Sequence, residues 1–414
     1  MGREVEEELL GLVPEILRVS DTYEALKREV KVKDDTIMVG STCIKASKPL
    51  VIAVGKASIR MAQWALDFLK PVRLIVITPK GTEAKLKDAE LIYASHPVPD
   101  KGSVEAGSRV VEAINALNYD SVILLLSGGA SSLMELPEVP FEDLVSTYRT
   151  LINSGLPIWQ INALRKHLSK LKGGKLASMT HKPFITLAVS DVPGNELSAV
   201  WSGPGVPDPT TFREAYIAVK GLRLPYSVMK LLERGIKGEV PETPKSLQNS
   251  FGFIILDNMR VLKHLSGLLR NPLILTSEIS GESREVGRAL ASIFNSCVDY
   301  GIPATRPFSI IMGGEPEVTV RGKGKGGRNS ELALSFSLRV RRGINYGLLA
   351  FATDGVDGNS EYAGVVISNE VDPGDPTEYF ERSDTYSFFE KVGRVIKTGP
   401  TQTNVNNVYV AVSP

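Results

Sequence analysis

Residues 322–329, Gly-Lys-Gly-Lys-Gly-Gly-Arg-Asn, hang three cationic side chains on a backbone that glycine leaves open. Gly322, Gly324 and Gly327 match G-x-G-x-x-G, the turn that holds a dinucleotide pyrophosphate at a helix N-terminus. Yet four of the eight residues from Arg321 to Arg328 are lysine or arginine. A dinucleotide turn relies on backbone N–H groups and a helix dipole, not on a dense set of side-chain charges. Lys323, Lys325 and Arg328 suit a nucleoside triphosphate instead, because charge stabilisation is nearly the whole of phosphoryl-transfer catalysis. The ribose-binding acid expected about 20 residues onward is also a poor match. The nearest such residue, Asp354, lies 27 residues past Gly327. The charge pattern favours phosphoryl transfer over nicotinamide binding.

Other segments carry residue types with chemical potential. In VIAVGKAS (51–58), Lys56 stands directly after an apolar strand and a glycine, at the start of a helix. A cation there opposes the helix macrodipole, so an anionic ligand is the expected compensation. In LLLSGGASSL (124–133), Gly128 and Gly129 let backbone N–H groups turn inward. Ser127, Ser131 and Ser132 add hydroxyls, and with Ala130 the loop reads as an anion cradle. Asp191 follows another apolar run and precedes Pro193, Gly194 and Asn195; it fits a Mg²⁺ ligand, a proton acceptor or a turn aspartate. Asp354 and Asp357 alternate with glycine after a further strand, without the ligand spacing of a calcium-binding loop. The segment 161–177 presents Arg165, Lys166, Lys170, Lys172 and Lys175 around an apolar stripe, the pattern of a mostly solvated basic face. Gly173 and Gly174 break that helix, leaving Lys172 and Lys175 able to aim elsewhere, and His167 reads as structural.

These loops need a scaffold, and the pattern of short apolar runs alternating with amphipathic stretches supplies one: α/β, with largely parallel sheet. Strands are expected at 50–54, 74–78, 91–95, 122–126 and 184–190, with helices at 58–69, 103–117, 141–153 and 160–171. A second series of strands is expected at 253–256, 273–276, 309–312, 317–321 and 348–353. The polar, proline-containing stretch 237–250 between the two series reads as a linker. At 414 residues two domains are expected, with a boundary near residue 240. The net charge of +1 gives no global attraction to nucleic acid or membrane. Two distant cysteines, four histidines, an acidic N-terminus and no 20-residue apolar run read as a cytoplasmic protein without a disulfide framework or zinc site.

Nine segments taken in order resemble the glycerate 2-kinase family. They are VIAVGKAS, SHPVPD, LLLSGGASSLMELP, INALRKHLSKLKGGKLA, SDVPGNELSAVWSGP, GGEPEVTVRGKGKGGRNSELAL, ATDGVDG, DTYSFFE and TGPTQTNVNNVYV. The resemblance runs from about residue 50 to the C-terminus, and the first 45 residues carry no signature of it. Ser330 stands where glutamine is common in relatives and Gln402 where glycine is common; neither change removes a charge. The resemblance implies ATP-dependent phosphorylation of D-glycerate at its 2-hydroxyl, a divalent metal such as Mg²⁺, and two α/β domains with an interdomain cleft. The first (1–240) is a Rossmann-like parallel sheet with flanking helices. The second (241–414) contains a MOFRL region at about 305–410.

In that family the lysine of VGKA and the arginine of GGRN are tied to catalysis; here they are Lys56 and Arg328. The expected mechanism is in-line transfer, with Lys56 and Arg328 stabilising the migrating phosphoryl and domain closure excluding water. Ser127–Ser132, with Lys172, Asn195, Lys323, Lys325 and Asn406, would bind ATP phosphates or substrate. Asp191, with Asp354 or Asp357, would hold the metal, and one of them would position the glycerate hydroxyl. The rival readings are a nicotinamide-dependent hydroxypyruvate reductase and a non-catalytic nucleotide or sugar-acid sensor. A homodimer fits the usual symmetry of soluble enzymes.

Overall fold

A computed structural model describes residues 2–414, the side chain of residue 193 excepted. The chain forms two compact units: Thr22–Leu256, and a second made of the chain up to Asp21 together with Asp257–Pro414.

The Thr22–Leu256 unit opens with a small antiparallel meander, β1 (Val30–Lys33), β2 (Thr36–Val39) and β3 (Thr42–Lys45). It then builds a six-stranded sheet from β4 (Pro49–Val54), β5 (Arg73–Pro79), β6 (Glu90–Ala94), β7 (Ser121–Leu126), β8 (Phe184–Val189) and β9 (Ser250–Leu256). All neighbours are parallel, in the order β6-β5-β4-β7-β8-β9. Strands covered by helices on both faces must be apolar throughout, and every residue of β4, β7 and β8 is buried. Numbered from β4, this is the doubly wound order 3-2-1-4-5-6. The chain leaves β4 to one side for β5 and β6, then returns to the other for β7. Ligand crevices in such sheets form where that direction reverses, beyond the carboxyl ends of the first and fourth strands. Here those ends are Val54 and Leu126, so the Lys56 turn and the Ser127–Ser132 loop lie side by side.

The second unit has a mixed sheet of β10 (Pro272–Ile279), β11 (Phe308–Gly314), β12 (Gly347–Ala352), β13 (Gly364–Ser368), β14 (Val395–Ile396) and β15 (Asn407–Ser413), in the order β10-β11-β15-β12-β13-β14. Only β10 and β11 are parallel; all other pairs are antiparallel. The expectation of largely parallel sheet therefore fails here. The C-terminal strand returns to the centre of the sheet beside β11, a pairing that no local pattern announces. Helices Ser283–Tyr300 and Arg328–Arg339 cover one aromatic core around Phe294, Phe308 and Phe336. The N-terminal helices Gly2–Leu10 and Leu12–Ser20 belong to this unit. Val5 and Leu9 press so closely on Gly347 that a Cβ there would lie 2.4 Å from Val5 Cγ1. The buried Glu6 accepts from Arg394 Nε at 2.9 Å and from Ser368 Oγ at 2.7 Å.

The expected boundary near residue 240 falls inside the first unit. The stretch 237–249 is irregular and mostly exposed but anchored within that unit: Thr243 is buried and donates to Asp208 at 2.9 Å, and β9 follows as an edge of the parallel sheet. Residues 317–321, expected as a strand, form an irregular loop with a single bridge at Glu317. No helix among the described residues is long and apolar enough to cross a membrane.

Candidate active site

In the first unit, two turns meet at the switch point. Lys56 N–H donates to the Gly128 carbonyl at 2.7 Å, and Ala57 N–H donates to Ser127 Oγ at 3.0 Å. Gly55 has φ +123°, and a Cβ on it would sit 2.3 Å from Ser127 Oγ, so glycine is required on both counts. Gly129 has φ +90° and faces His96, whose ring a Cβ would meet at 3.0 Å.

The loop differs from its expected use. Its serine hydroxyls are already employed: Ser127 Oγ donates to the Val54 carbonyl, Ser132 Oγ to the Gly129 carbonyl, and Ser131 Oγ pairs with Ser202 Oγ. What remains are backbone donors. The N–H groups of Gly128 and Gly129 have no acceptor among the described residues.

Below the loop lies a buried polar cluster that also changes the reading of Lys172. Its ammonium, 2% exposed, pairs with Glu135 Oε2 and donates to Tyr148 Oη at 2.8 Å. Desolvation lowers the Lys172 pKa, against the pull of Glu135, and desolvation likewise raises Tyr148 well above its usual value. Lys172 is therefore a buried structural cation and not a surface ligand for phosphate. Lys166 is equally committed, to the buried Asp208 at 2.9 Å, and Lys175 donates to the Ser169 carbonyl. The basic face expected to be solvated is thus largely paired. His167 is structural as expected: it is buried, bonded to the Ala163 carbonyl and to Glu242.

Two residues that sequence reasoning did not single out stand beside the loop. The Arg165 guanidinium lies 4.7 Å over the Tyr148 ring, and Tyr148 Oη is 3.0 Å from the Ser131 carbonyl. His96 has its pKa lowered to about 4, by desolvation first and then by the charges of Lys56 and Arg165. More than a third of His96 remains exposed, so solvent moderates the burial contribution; the two cations fix the direction. Asp191 and Asn195, half-buried, follow β8 on the neighbouring edge of the same crevice, Asn195 with a left-handed φ of +53°.

In the second unit the glycine-rich loop joins β11 to helix Arg328–Arg339, and its glycines face protein. A Cβ at Gly322 would lie 2.4 Å from the Arg382 carbonyl, at Gly324 2.3 Å from Asp384 Cβ, and at Gly327 2.2 Å from the Asp357 carboxylate. The literal G-x-G-x-x-G thus reflects close packing on 382–384 and on Asp357, with Gly324, Gly326 and Gly327 also bordering the cavity beside Arg328. Asp357, expected as a metal ligand, is wholly buried. It accepts from Asn329 N–H at 3.0 Å, Ser330 N–H at 3.3 Å and Tyr386 Oη at 2.7 Å. It anchors the helix N-terminus, and desolvation raises its pKa.

Arg328 begins that helix and donates to Glu315 at 2.6 Å. Burial works against its charge, but Glu315 and Asp357 outweigh this and its pKa is raised. Lys325 is drawn aside to Glu390 at 2.8 Å and Glu361 at 3.4 Å, while Lys323 is exposed. Asp354 accepts from Val356 N–H in a local turn, and Asn406 is buried in the left-handed region at φ +64°. A cavity of about 760 Å³, lined by Glu315, Val318, Gly326, Arg328 and Asn359 among others, opens beside Arg328. No cluster of three or more His, Cys, Asp or Glu suited to a metal occurs among the described residues.

A doubly wound sheet whose switch point joins the Lys56 turn to the Gly128–Gly129 loop defines an α/β protein of the open, mostly parallel kind. Comparison with known proteins specifies it further. A family model described as a domain of unknown function, DUF4147, matches residues 8–233, and the MOFRL family matches 308–407. The chain is 44% identical to a glycerate 2-kinase of Sulfurisphaera tokodaii over 96% of this chain and 98% of that one. It is 38% identical to a glycerate 2-kinase of Pyrococcus horikoshii over 97% and 96%. The crystal structure of a glycerate kinase from Thermotoga maritima superposes with a TM-score of 0.87 at 32% identity, covering all of both chains. The chain belongs to the glycerate 2-kinase family.

Proposed function

We propose that this protein transfers the γ-phosphoryl group of ATP to the 2-hydroxyl of D-glycerate, giving 2-phosphoglycerate and ADP. The observation that carries this reading is the junction of the Lys56 and Gly128–Gly129 turns at the switch point, in a chain similar along its length to glycerate 2-kinases.

Lys56 provides a cation for the oxygens of the migrating phosphoryl, with the Gly128 and Gly129 N–H groups supplying further donors. Arg328 supplies fixed charge to the phosphates of ATP in the second unit, and the exposed Lys323 adds to it. Glu315 holds Arg328 in place until a stronger anion competes. Such stabilisation is nearly all the protein must do in a loose, in-line phosphoryl transfer. Magnesium is usually held by phosphates with one or two carboxylates rather than by a protein cage. Asp191 of the first unit or Asp354 of the second, each partly exposed, would supply a carboxylate to it; Asp357 is too deeply engaged. Bound magnesium would neutralise phosphate charge. We further propose that the protein works in the cytoplasm.

A hydroxypyruvate reductase is not favoured, because the loop carries Lys323, Lys325 and Arg328 and the chain is similar along its length to glycerate 2-kinases. The test is purified protein with ATP, Mg²⁺ and D-glycerate, with the product identified by ³¹P NMR. Formation of 2-phosphoglycerate supports the proposal; NADH oxidation by hydroxypyruvate without ATP would replace it.

A further inference from the structure

Arginine side chains on a protein surface usually find a carboxylate or stay in water. Arg165 is only partly exposed. Among the described residues it has no carboxylate: it makes no hydrogen bond and no ion pair, and its Nε is buried without a partner. Its guanidinium carbon instead lies 4.7 Å over the fully buried ring of Tyr148. That contact favours a cation and restricts where the fork can sit. Tyr148 is itself immobilised, by Lys172 at 2.8 Å, by Glu135 at 3.1 Å and by the Ser131 carbonyl at 3.0 Å. The arginine is thus pre-oriented by a rigid support, with its charge left for something absent from the protein.

Position narrows what that is. The support is bonded to the Ser131 carbonyl of the Ser127–Ser132 loop, and the charge of Arg165 reaches His96, the ring that Gly129 faces. Lys56 joins the same loop from the other side, and both cations act on His96. In D-glycerate the hydroxyl to be phosphorylated is on the carbon that bears the carboxylate. The carboxylate must therefore bind close to the cation that meets the phosphoryl group. A planar guanidinium matches a carboxylate through two parallel hydrogen bonds, whereas an ammonium is a point charge.

We propose that Arg165, held on Tyr148, binds the substrate carboxylate and so makes the protein selective for 2-hydroxy acids over uncharged polyols and amides. This rests on the glycerate 2-kinase reading and extends it to a residue outside the Lys56 and Arg328 pair. The Lys172–Glu135–Tyr148 cluster is then a positioning device for the arginine.

The experiment compares D-glycerate with D-glyceramide, in which an amide replaces the carboxylate, using wild type, Arg165→Ala and Arg165→Lys. In wild type kcat/KM should favour glycerate strongly. Arg165→Ala should raise KM for glycerate on the order of 10²-fold, the effect of losing a charge-assisted pair, with KM for ATP nearly unchanged. The preference for glycerate over glyceramide should collapse by a similar factor, and added guanidinium ion should partly restore it. Arg165→Lys keeps the charge without the fork, and its intermediate loss serves if the alanine variant does not fold. An unchanged preference in a folded variant overturns the inference, as does a rise in KM for ATP alone, which would assign the arginine to a nucleotide phosphate. A wild type that phosphorylates neither compound defeats the kinase reading itself, a distinguishable result.

Discussion

Replacing Lys172 by methionine separates a structural cation from a ligand-binding one. The ammonium is buried against the fully buried Glu135. Without it the carboxylate keeps only Tyr148 Oη at 3.1 Å and the Leu136 N–H at 2.9 Å. The cheapest remedy is to take up a proton. For a carboxyl of ordinary pKa near 4.3, holding the proton at pH 7 costs about 3.7 kcal/mol. That agrees with the roughly 3–5 kcal/mol measured when one partner of a buried pair is removed. For a unit of this size each kcal/mol shifts the melting temperature by about 2–4 °C, so the expected fall is about 7–15 °C. The penalty should shrink as pH falls towards about 4.3, because the unfolded chain then also holds the proton. Scanning calorimetry from pH 4.5 to 8, with Glu135→Leu/Lys172→Met as the partner variant, provides the assay. The double variant should regain much of the loss. A Lys172→Met protein that melts within about 2 °C of wild type but has a greatly raised KM for ATP would refute this and return Lys172 to the phosphates.

Arg328→Ala and Lys56→Ala should each lower kcat by at least about 10³-fold while leaving the melting temperature nearly unchanged; near-normal turnover in either would remove that residue from the mechanism. Gly55→Ala combines φ +123° with a Cβ 2.3 Å from Ser127 Oγ, so it should destabilise the first unit by at least about 2 kcal/mol in urea unfolding and impair turnover. His96, with a folded pKa of about 4 against 6.5 unfolded, should stay neutral down to about pH 5 by ¹H–¹³C NMR. Because its folded pKa is depressed, its contribution to stability is complete above pH 6.5 and is lost as pH falls from there towards 4, a trend that His96→Gln should flatten. Asp357→Ala should destabilise the second unit through loss of the acceptor for Asn329 and Ser330, with no change in the Mg²⁺ concentration giving half-maximal rate.

The first sheet was readable because strands buried on both faces are unbroken apolar runs: 50–54, 74–78 and 122–126 fall within β4, β5 and β7. Strand alternation misled at Glu-Val-Thr-Val-Arg, 317–321, where Val320 is 73% exposed on an irregular loop. Strand β15 and the meander β1–β3 were missed, since their pairing depends on distant or weakly patterned partners. Charge was the harder signal. Lys166 reads as a solvated lysine and Lys172 as a phosphate or substrate ligand because Asp208 and Glu135, 42 and 37 residues away in sequence, cannot be matched to them by spacing. Asp357 looked like a metal ligand because glycines flank it, yet those glycines let the chain close over it. His96 becomes notable only once the fold brings it to Gly129, and Arg165 only once it lies over Tyr148.

The measurement that tests the central claim most directly is a coupled assay with ATP, Mg²⁺ and D-glycerate, followed by enolase, pyruvate kinase and lactate dehydrogenase. Enolase accepts 2-phosphoglycerate and not its 3-isomer. Immediate NADH consumption is the predicted result and fixes both the activity and its position on the substrate. A signal that appears only after phosphoglycerate mutase is added would contradict the account, because the phosphoryl group would then have gone to the 3-hydroxyl.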